Sequence, residues 1–267
     1  MTPFLSRIAV TIIGLPVVLG GVWLGGWWLV ALLSVAALVA LHEYYSMVRP
    51  LRPLVLAGYA GAVLVLVGAR LGGIEWMLAG FLATLLFAFV LYGVASTRQP
   101  ATVAISSTVL GPAWVGLGLG YVLLLRELGS PTVGRLAAFA VLLAIFADDT
   151  IAYFVGRFVG RHRLAPTLSP GKTWEGFVAG TAAAIFVAFI TLYRNHHDFL
   201  PGWRPVVLGA IVALAGAAGD LFESALKRDM GVKDSGRILA GHGGVLDRLD
   251  APLFAAVAGF YAILALQ

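Results

Sequence analysis

The side chains best suited to chemistry are concentrated in residues 218–250, which read AGDLFESALKRDMGVKDSGRILAGHGGVLDRLD. Their spacing predicts a helix with one polar face, made of Asp220, Glu223, Ser224, Lys227 and Arg228. Residues 205–217 carry no charge, so Asp220 is expected at a membrane boundary, where a carboxylate is costly unless a cation or partner compensates it. A polar helix end paired with its own loop is the alternative. The density of polar residues favours a site.

Glycines and two more carboxylates complete this stretch. Residues 241–244 (Gly-His-Gly-Gly) allow close backbone approach to a ligand, and His242 is a candidate general acid or base, with a structural hydrogen bond as the alternative. Asp247 and Asp250 are three positions apart at the start of the next predicted helix. Carboxylates suit a hard cation such as Mg²⁺, which binds through one or two carboxylates plus substrate phosphates. Neighbouring lysines and arginines would neutralise phosphate, so phosphoryl or nucleotidyl transfer to a lipid is suggested.

A second candidate lies inside a hydrophobic run, where Asp148 and Asp149 are adjacent. Ionisable residues within a membrane span are functional candidates by default. Asp149 shares a helical face with Tyr153, whereas Asp148 points about 100° away. A helix-packing hydrogen bond or a water-filled crevice is the alternative, and the relative roles of the two carboxylates stay open.

A third candidate is the polar connection LSPGKTWEG at residues 168–176. It resembles the end of a phosphate-binding loop, but Pro166 stands where that loop needs glycine and we expect no strand before it, so a P-loop is rejected. Lys172 and hydroxyl groups at the N-terminus of a helix favour phosphate. Anchoring of the helix by Trp174 and Lys172 in the lipid headgroup region is the alternative.

These candidates are embedded in an apolar chain. Of its 267 residues, 60% are hydrophobic and 12% are charged, against about 25% charged in soluble domains. The sequence therefore predicts an all-α integral membrane protein with about nine spans and a cytoplasm-facing cleft. The expected spans are 7–24, 27–47, 53–71, 75–97, 101–125, 134–156, 173–193, 205–227 and 250–266. The first is expected to be retained rather than cleaved as a signal peptide. No cysteine is present, so disulfides and thiolate chemistry are excluded.

The distribution of basic residues predicts the topology. With nine spans, thirteen of the 18 Lys and Arg lie on the side of the N-terminus and five on the other. The positive-inside rule then places the N-terminus and the polar loops 157–172 and 228–249 in the cytoplasm, where a nucleotide can reach them. No internal repeat supports a transporter.

The motifs resemble the signature of CDP-diacylglycerol synthases (phosphatidate cytidylyltransferases), S-x-x-K-R-x4-K-D-x-G, then H-G-G-x-x-D-R-x-D. Residues 224–250 meet this pattern, with Ala240 where the family has Pro or Gly. Residues 149–176 resemble the family's upstream motifs, with Ile151 replacing a usual Gly. The N-terminal half is similar only in hydropathy. We expect residues 1–130 to form an N-terminal bundle of about five helices and residues 131–267 to form the catalytic region.

The resemblance implies transfer of a cytidylyl group from CTP to phosphatidic acid, with Mg²⁺ as cofactor. A second cation, Mg²⁺ or K⁺, is an open alternative to Mg²⁺ alone. It implies catalytic roles for Asp220, Lys227, Arg228, Asp247 and His242. It implies metal binding by Asp220, Asp247 and Asp250. Substrate binding is expected of Asp149, Tyr153, Ser169, Lys172, Thr173, Glu223, Ser224, Lys233, Asp234, Gly243, Gly244 and Arg248.

The implied partners are CTP, phosphatidic acid and membrane lipids, without nucleic acid. A bacterial inner membrane and a homodimer are further expectations. The rival hypotheses are a CTP-dependent kinase acting on a lipid alcohol such as a polyprenol or phytol, and an ion transporter or channel.

Overall fold

The computed structural model describes residues 3–95, 99–193, 199–236 and 243–267, with side chains from residue 14 onward. Within these ranges the helices are α1 (Pro3–Leu24), α2 (Gly26–Met47), α3 (Val55–Val94), α4 (Ala101–Gly111), α5 (Leu117–Arg126), α6 (Pro131–Phe158), α7 (Trp174–Tyr193), α8 (Arg204–Asp229) and α9 (Leu246–Leu266). A π-helical turn, Pro112–Gly116, joins α4 to α5. The strands β1 (Arg163–Ala165) and β2 (Ser169–Thr173) form one antiparallel hairpin. The predicted all-α class is confirmed, but the expectation of no strand before the Lys172 tract was wrong, because β1 precedes it.

Seven helical segments in the described ranges are long and apolar enough to cross a membrane, counting α4 to α5 as one. Many of their large apolar side chains point outward, for example Trp28, Leu86 and Phe186 at 74%, 65% and 62% exposure. A surface of this kind suits lipid rather than water. The chain is therefore an integral membrane protein, and the count of nine spans stays a prediction.

Helix α3 is forty residues long because it contains a sharp reversal at two glycines. Gly72 and Gly73 leave helical geometry, and Gly73 has a φ of 63°, which glycine adopts without strain. The two halves pack on each other at small residues, with Gly68 against the backbone of Trp76 and Gly80 against that of Leu64. The reversal lies where the sequence separates its third and fourth predicted spans.

Contacts group the chain into two compact units. The first comprises Met1–Leu124 and Met230–Leu249, and the second comprises Leu125–Asp229 and Asp250–Gln267. The expected functional division at residue 130 stays a prediction.

In the first unit, α2 is attached to α4 by two buried tyrosines. Pro112 has no N–H to offer the carbonyl of Thr108 four residues earlier, and the Tyr45 hydroxyl donates to that carbonyl at 2.7 Å. The Tyr44 hydroxyl donates to the carbonyl of Ser107 at 2.9 Å. Buried backbone acceptors next to a proline are satisfied in this way without water.

In the second unit, α6, α7 and α8 approach closely through glycines. Gly176 and Gly180 of α7 lie against the α6 backbone at Ala152 and Asp148, and Gly209 of α8 lies against the α7 backbone at Ile185. A methyl group at any of the three would collide with backbone atoms. Small residues therefore set the spacing of this three-helix core, as close helix packing in lipid requires.

Candidate active site

A cavity of about 620 Å³ opens in the second unit, among α6, the hairpin, α7 and α8. Its lining is unusually polar for a membrane protein. The charged lining residues are Asp148, Asp149, Arg157, Arg163, Lys172 and Asp220. Ser169, Thr173 and Tyr153 add hydroxyl groups, and Gly156, Gly160, Gly171 and Gly176 leave backbone accessible at its wall.

Two of the predicted site residues in the lining of this cavity form an ion pair. Lys172 Nζ lies 2.6 Å from Asp220 Oδ2, and the two side chains are 25% and 31% exposed. Strand β2 carries Lys172, whereas Asp220 lies on α8, which also supplies a weak hydrogen bond of 3.5 Å from Ser224 Oγ to Asp220 Oδ1. The structure thus brings together two residues that the sequence assigned to separate motifs.

The hairpin that carries Lys172 is fixed at its base. Glu175 accepts hydrogen bonds from the His162 backbone N–H at 3.2 Å and lies 2.6 Å from His162 Nδ1. The Trp174 N–H donates to the His162 carbonyl at 2.9 Å. Thr173 occupies the N-cap position of α7, and its Oγ1 accepts from the Gly176 N–H at 3.2 Å. These bonds hold the Lys172 strand against the start of α7.

Asp148 and Asp149 have different environments, as their 100° separation predicted. Asp148 is 5% exposed, and its Oδ1 points against Gly180 without a hydrogen-bond partner among the residues that the structure describes. Asp149 is exposed to the cavity, where its charge is repelled by Asp220 and Asp250 and attracted by Lys172. Both carboxylates therefore line the cavity, Asp149 with an exposed side chain and Asp148 with a buried one turned toward α7.

Asp250, which lies on α9, adds a further carboxylate near this cluster of cavity carboxylates. It accepts a hydrogen bond at 2.9 Å from the Ala251 N–H and lies within hydrogen-bonding reach of Glu223. Glu223 is fully buried and accepts from Lys227 Nζ at 3.1 Å. Part of the predicted polar face of α8 thus forms hydrogen bonds and an ion pair within the protein.

Two predicted residues of the second unit remain to be placed, Arg228 and Tyr153. Arg228 is exposed and donates from Nε to the Leu168 carbonyl at 3.4 Å. Tyr153 lies in the cavity wall, and its hydroxyl accepts from Arg157 Nη1 at 2.8 Å. Arg157 and Arg163 were not predicted as site residues. The spacing of four from Tyr153 was the signal available for Arg157.

The first unit holds the other predicted residues, including Asp247. The Asp247 carboxylate accepts from the Gly244 N–H at 2.7 Å and from the Ser235 N–H at 3.2 Å. Gly243 has a φ of 78°, and a methyl group there would overlap Asp247 Oδ2. These glycines thus allow close approach of a carboxylate of the protein itself, that of Asp247. Lys233, Asp234 and Arg248 are exposed, and His242 lies outside the described residues.

The cavity has the chemistry of a site for phosphates and a hard cation. Lysine, arginine and hydroxyl groups can bind phosphate oxygens, while three carboxylates converge on one region. Among the described residues no three potential ligands are close enough to hold a metal ion by themselves. The described part of the cavity thus offers donors for phosphate oxygens together with carboxylates.

Sequence comparison defines the class of protein that carries this site. Residues 5–266 match the Cytidylyltransferase family, and the chain belongs to that family.

Curated relatives extend over most of the chain. A phosphatidate cytidylyltransferase of Mycobacterium tuberculosis (strain H37Rv) is 36% identical over 257 residues, covering 88% of this chain and 74% of that protein. A phosphatidate cytidylyltransferase of Staphylococcus haemolyticus is 34% identical over 254 residues, covering 94% of both chains. The one of Staphylococcus aureus (strain COL) is 34% identical over 255 residues with the same coverage. The resemblance noted in the sequence is thereby confirmed.

Proposed function

We propose that this protein transfers the cytidylyl group of CTP to phosphatidic acid, giving CDP-diacylglycerol and pyrophosphate. The observation that carries the proposal is the pairing of Lys172 with Asp220 in a polar cavity of about 620 Å³ in a membrane protein. Its relatives are named for this reaction.

The reaction needs no protein nucleophile. The phosphate of the lipid is already ionised at neutral pH, and one of its oxygens attacks the α-phosphorus of CTP in line. The new phosphorus–oxygen bond replaces the bond to the β-phosphate, and pyrophosphate leaves with that electron pair. The protein contributes positioning and compensation of the charge that accumulates on the phosphates.

Lys172 is the first candidate for that compensation. In the structure its ammonium group is held by Asp220, and phosphate oxygens entering the cavity would compete for it. Arg157 and Arg163 line the same wall and offer further donors, with the bidentate geometry that suits phosphate. Binding of CTP would thus separate Lys172 from Asp220.

The carboxylates fit Mg²⁺ by charge and by donor type. Asp220 and Asp250, with Asp149 beside them, are the residues of the second unit that would hold it. Asp247 is a further candidate from its position one helical turn before Asp250 on α9. Bound Mg²⁺ supplies Lewis-acid polarisation of the phosphates. One or two carboxylates plus phosphate oxygens satisfy this cation, and a second cation, Mg²⁺ or K⁺, belongs to the same proposal.

The fold and the distribution of charge support a proposed location. We place the protein in the inner membrane of a bacterium, with the N-terminus and the polar loops in the cytoplasm, because thirteen of 18 basic residues fall on that side. The acyl chains of the substrate would enter from the lipid. A homodimer is proposed as well, and a single-subunit product after crosslinking in native membranes would contradict it.

The test uses purified protein in mixed micelles with phosphatidic acid, Mg²⁺ and CTP labelled at either the α- or the γ-phosphorus. The proposal expects α-label in the lipid and γ-label in pyrophosphate. Diacylglycerol, which lacks the attacking phosphate, is the matched acceptor control and should remain unlabelled. Transfer of γ-label to an added polyprenol, with release of CDP, would instead establish the kinase. The absence of both products would contradict each of these activities.

A further inference from the structure

A buried carboxylate of the first unit lies on α2 and belongs to none of the predicted motifs. Glu43 is 2% exposed within an apolar helix. Burying a carboxylate costs several kcal/mol unless its interactions compensate the lost hydration. An ionisable residue within a predicted span is a functional candidate, and this applies to Glu43 as it does to Asp148 and Asp149.

Glu43 bonds to the segment that carries the family signature. Its Oε2 accepts from the backbone N–H of Leu246, the first residue of α9, at 2.9 Å. Its other oxygen, Oε1, has no hydrogen-bond partner among the described residues. Among the residues that the structure describes, one neutral donor therefore compensates the buried carboxyl group only in part.

The neighbouring glycines are fitted around this carboxylate. A methyl group at Gly236 would overlap Oε1, Cδ and Cγ of Glu43, and one at Gly244 would overlap Oε2 together with Ser235 Oγ. Gly236 does not have a positive φ, so its need for glycine comes from the space that Glu43 occupies. Residues on both sides of the undescribed segment 237–242 thus contact one side chain of α2.

Asp247 accepts hydrogen bonds from the N–H groups of Ser235 and Gly244, so Gly244 contacts both carboxylates. Two carboxylates, one on α9 and one on α2, therefore contact the described residues on either side of positions 237–242. We propose that Glu43 is a positioning residue, which holds the first turn of α9 and the flanking glycines in the geometry that the reaction requires. This inference rests on the proposed function for its activity readout.

The experiment compares five variants in the mixed-micelle assay. Glu43→Ala removes the acceptor, and a misplacement of about 1 Å in a site can lower turnover about 100-fold, so a fall in kcat of that order is expected with KM for CTP within about threefold. Glu43→Gln keeps the volume and an oxygen that accepts from Leu246, so it should retain at least about a third of the activity. Ser46→Ala, an exposed change one turn along α2, is the matched control and should behave as wild type.

Gly236→Ala tests the contact without removing any charge. Its methyl group should displace the carboxylate from Leu246 and lower kcat, which also keeps the test informative if Glu43→Ala does not fold. In the double variant Glu43→Ala/Gly236→Ala the methyl group occupies vacated space, so activity should match that of Glu43→Ala within about threefold. Losses that multiply, or a Gln variant as poor as Ala, would overturn the positioning role.

Hydrogen exchange gives a readout that does not depend on activity. Loss of the Leu246 bond should accelerate exchange in peptides covering residues 243–249 by about tenfold, while peptides of α6 keep their wild-type rates. Acceleration throughout the protein, or none in residues 243–249, would contradict a local positioning contact. A wild type that labels no lipid would overturn the proposed function instead, and exchange would then decide the Glu43 contact alone.

Discussion

The ion pair between Lys172 and Asp220 makes a quantitative prediction about the candidate site. At 2.6 Å and an effective dielectric constant of about 20, the Coulomb attraction is on the order of 6 kcal/mol. Both side chains are about a quarter to a third exposed, and desolvation with ordering of the lysine offsets most of this attraction. A net coupling of about 1.5–3 kcal/mol remains, as for other hydrogen bonds between charged groups.

The perturbation is a double-mutant cycle of Asp220→Asn and Lys172→Met. Asparagine removes the charge that holds Lys172 and that a cation would use, and methionine removes the ammonium group at nearly constant length. Each single variant should lower kcat/KM for label transfer from CTP to phosphatidic acid by about 100-fold or more. The double variant should fall short of the product of the two losses by roughly 10- to 100-fold, because the two residues position each other.

Asp229→Asn is the matched control for this cycle. It removes the same charge from the same helix, at an exposed position that does not line the cavity. Its kcat/KM should stay within about threefold of wild type, and size-exclusion profiles of all variants should coincide. Losses for Asp220→Asn and Lys172→Met that multiply in full would refute the reasoning, as would an Asp220→Asn variant that behaves like Asp229→Asn.

Three further predictions concern other parts of the protein. Asp250→Asn removes one carboxylate from the cluster, so the Mg²⁺ concentration for half-maximal activity should rise by about tenfold; an unchanged Mg²⁺ titration would contradict a role near the cation. Asp247→Asn leaves one acceptor oxygen and no charge, so turnover should fall by about 100-fold with the fold intact, and wild-type activity at saturating Mg²⁺ would exclude a ligand role. Tyr45→Phe leaves the Thr108 carbonyl without its donor and should lower the free energy of unfolding by about 1–2 kcal/mol, measured by thermal unfolding. The loss should be smaller in a Pro112→Ala background, because alanine restores a backbone N–H there. Equal losses in both backgrounds would refute this account.

The sequence predicted the class of fold because its signals are local. Apolar runs long enough to cross a bilayer need no knowledge of their neighbours, and the pair Gly72–Gly73 interrupts one such run at the reversal seen within α3. Helical spacing likewise separated Asp148 from Asp149 by direction. The motifs were specific enough to identify the family, because a motif match depends on the order of residues and needs no tertiary structure.

Local signals also misled or fell short in particular places. The three residues of β1 are too few to produce a visible alternation, so the hairpin that carries Lys172 was not expected. Arg157 and Arg163 read as loop-side cations of the positive-inside pattern, although they line the cavity. Glu43 is the one acidic residue of α2, a helix without a recognised motif, and the neighbouring residues do not indicate its partner.

The membrane-embedded helices, the family and the identity of most chemical groups could therefore be read from residue order. Which of these groups meet depends on the packing of distant segments. Asp220 pairs with Lys172 because glycines let α6, α7 and α8 approach closely, and Glu43 reaches the N–H of Leu246 across a separation of 203 residues. Periodicity fixes the direction of a side chain around its own helix, but the partner in that direction is set by packing among distant segments.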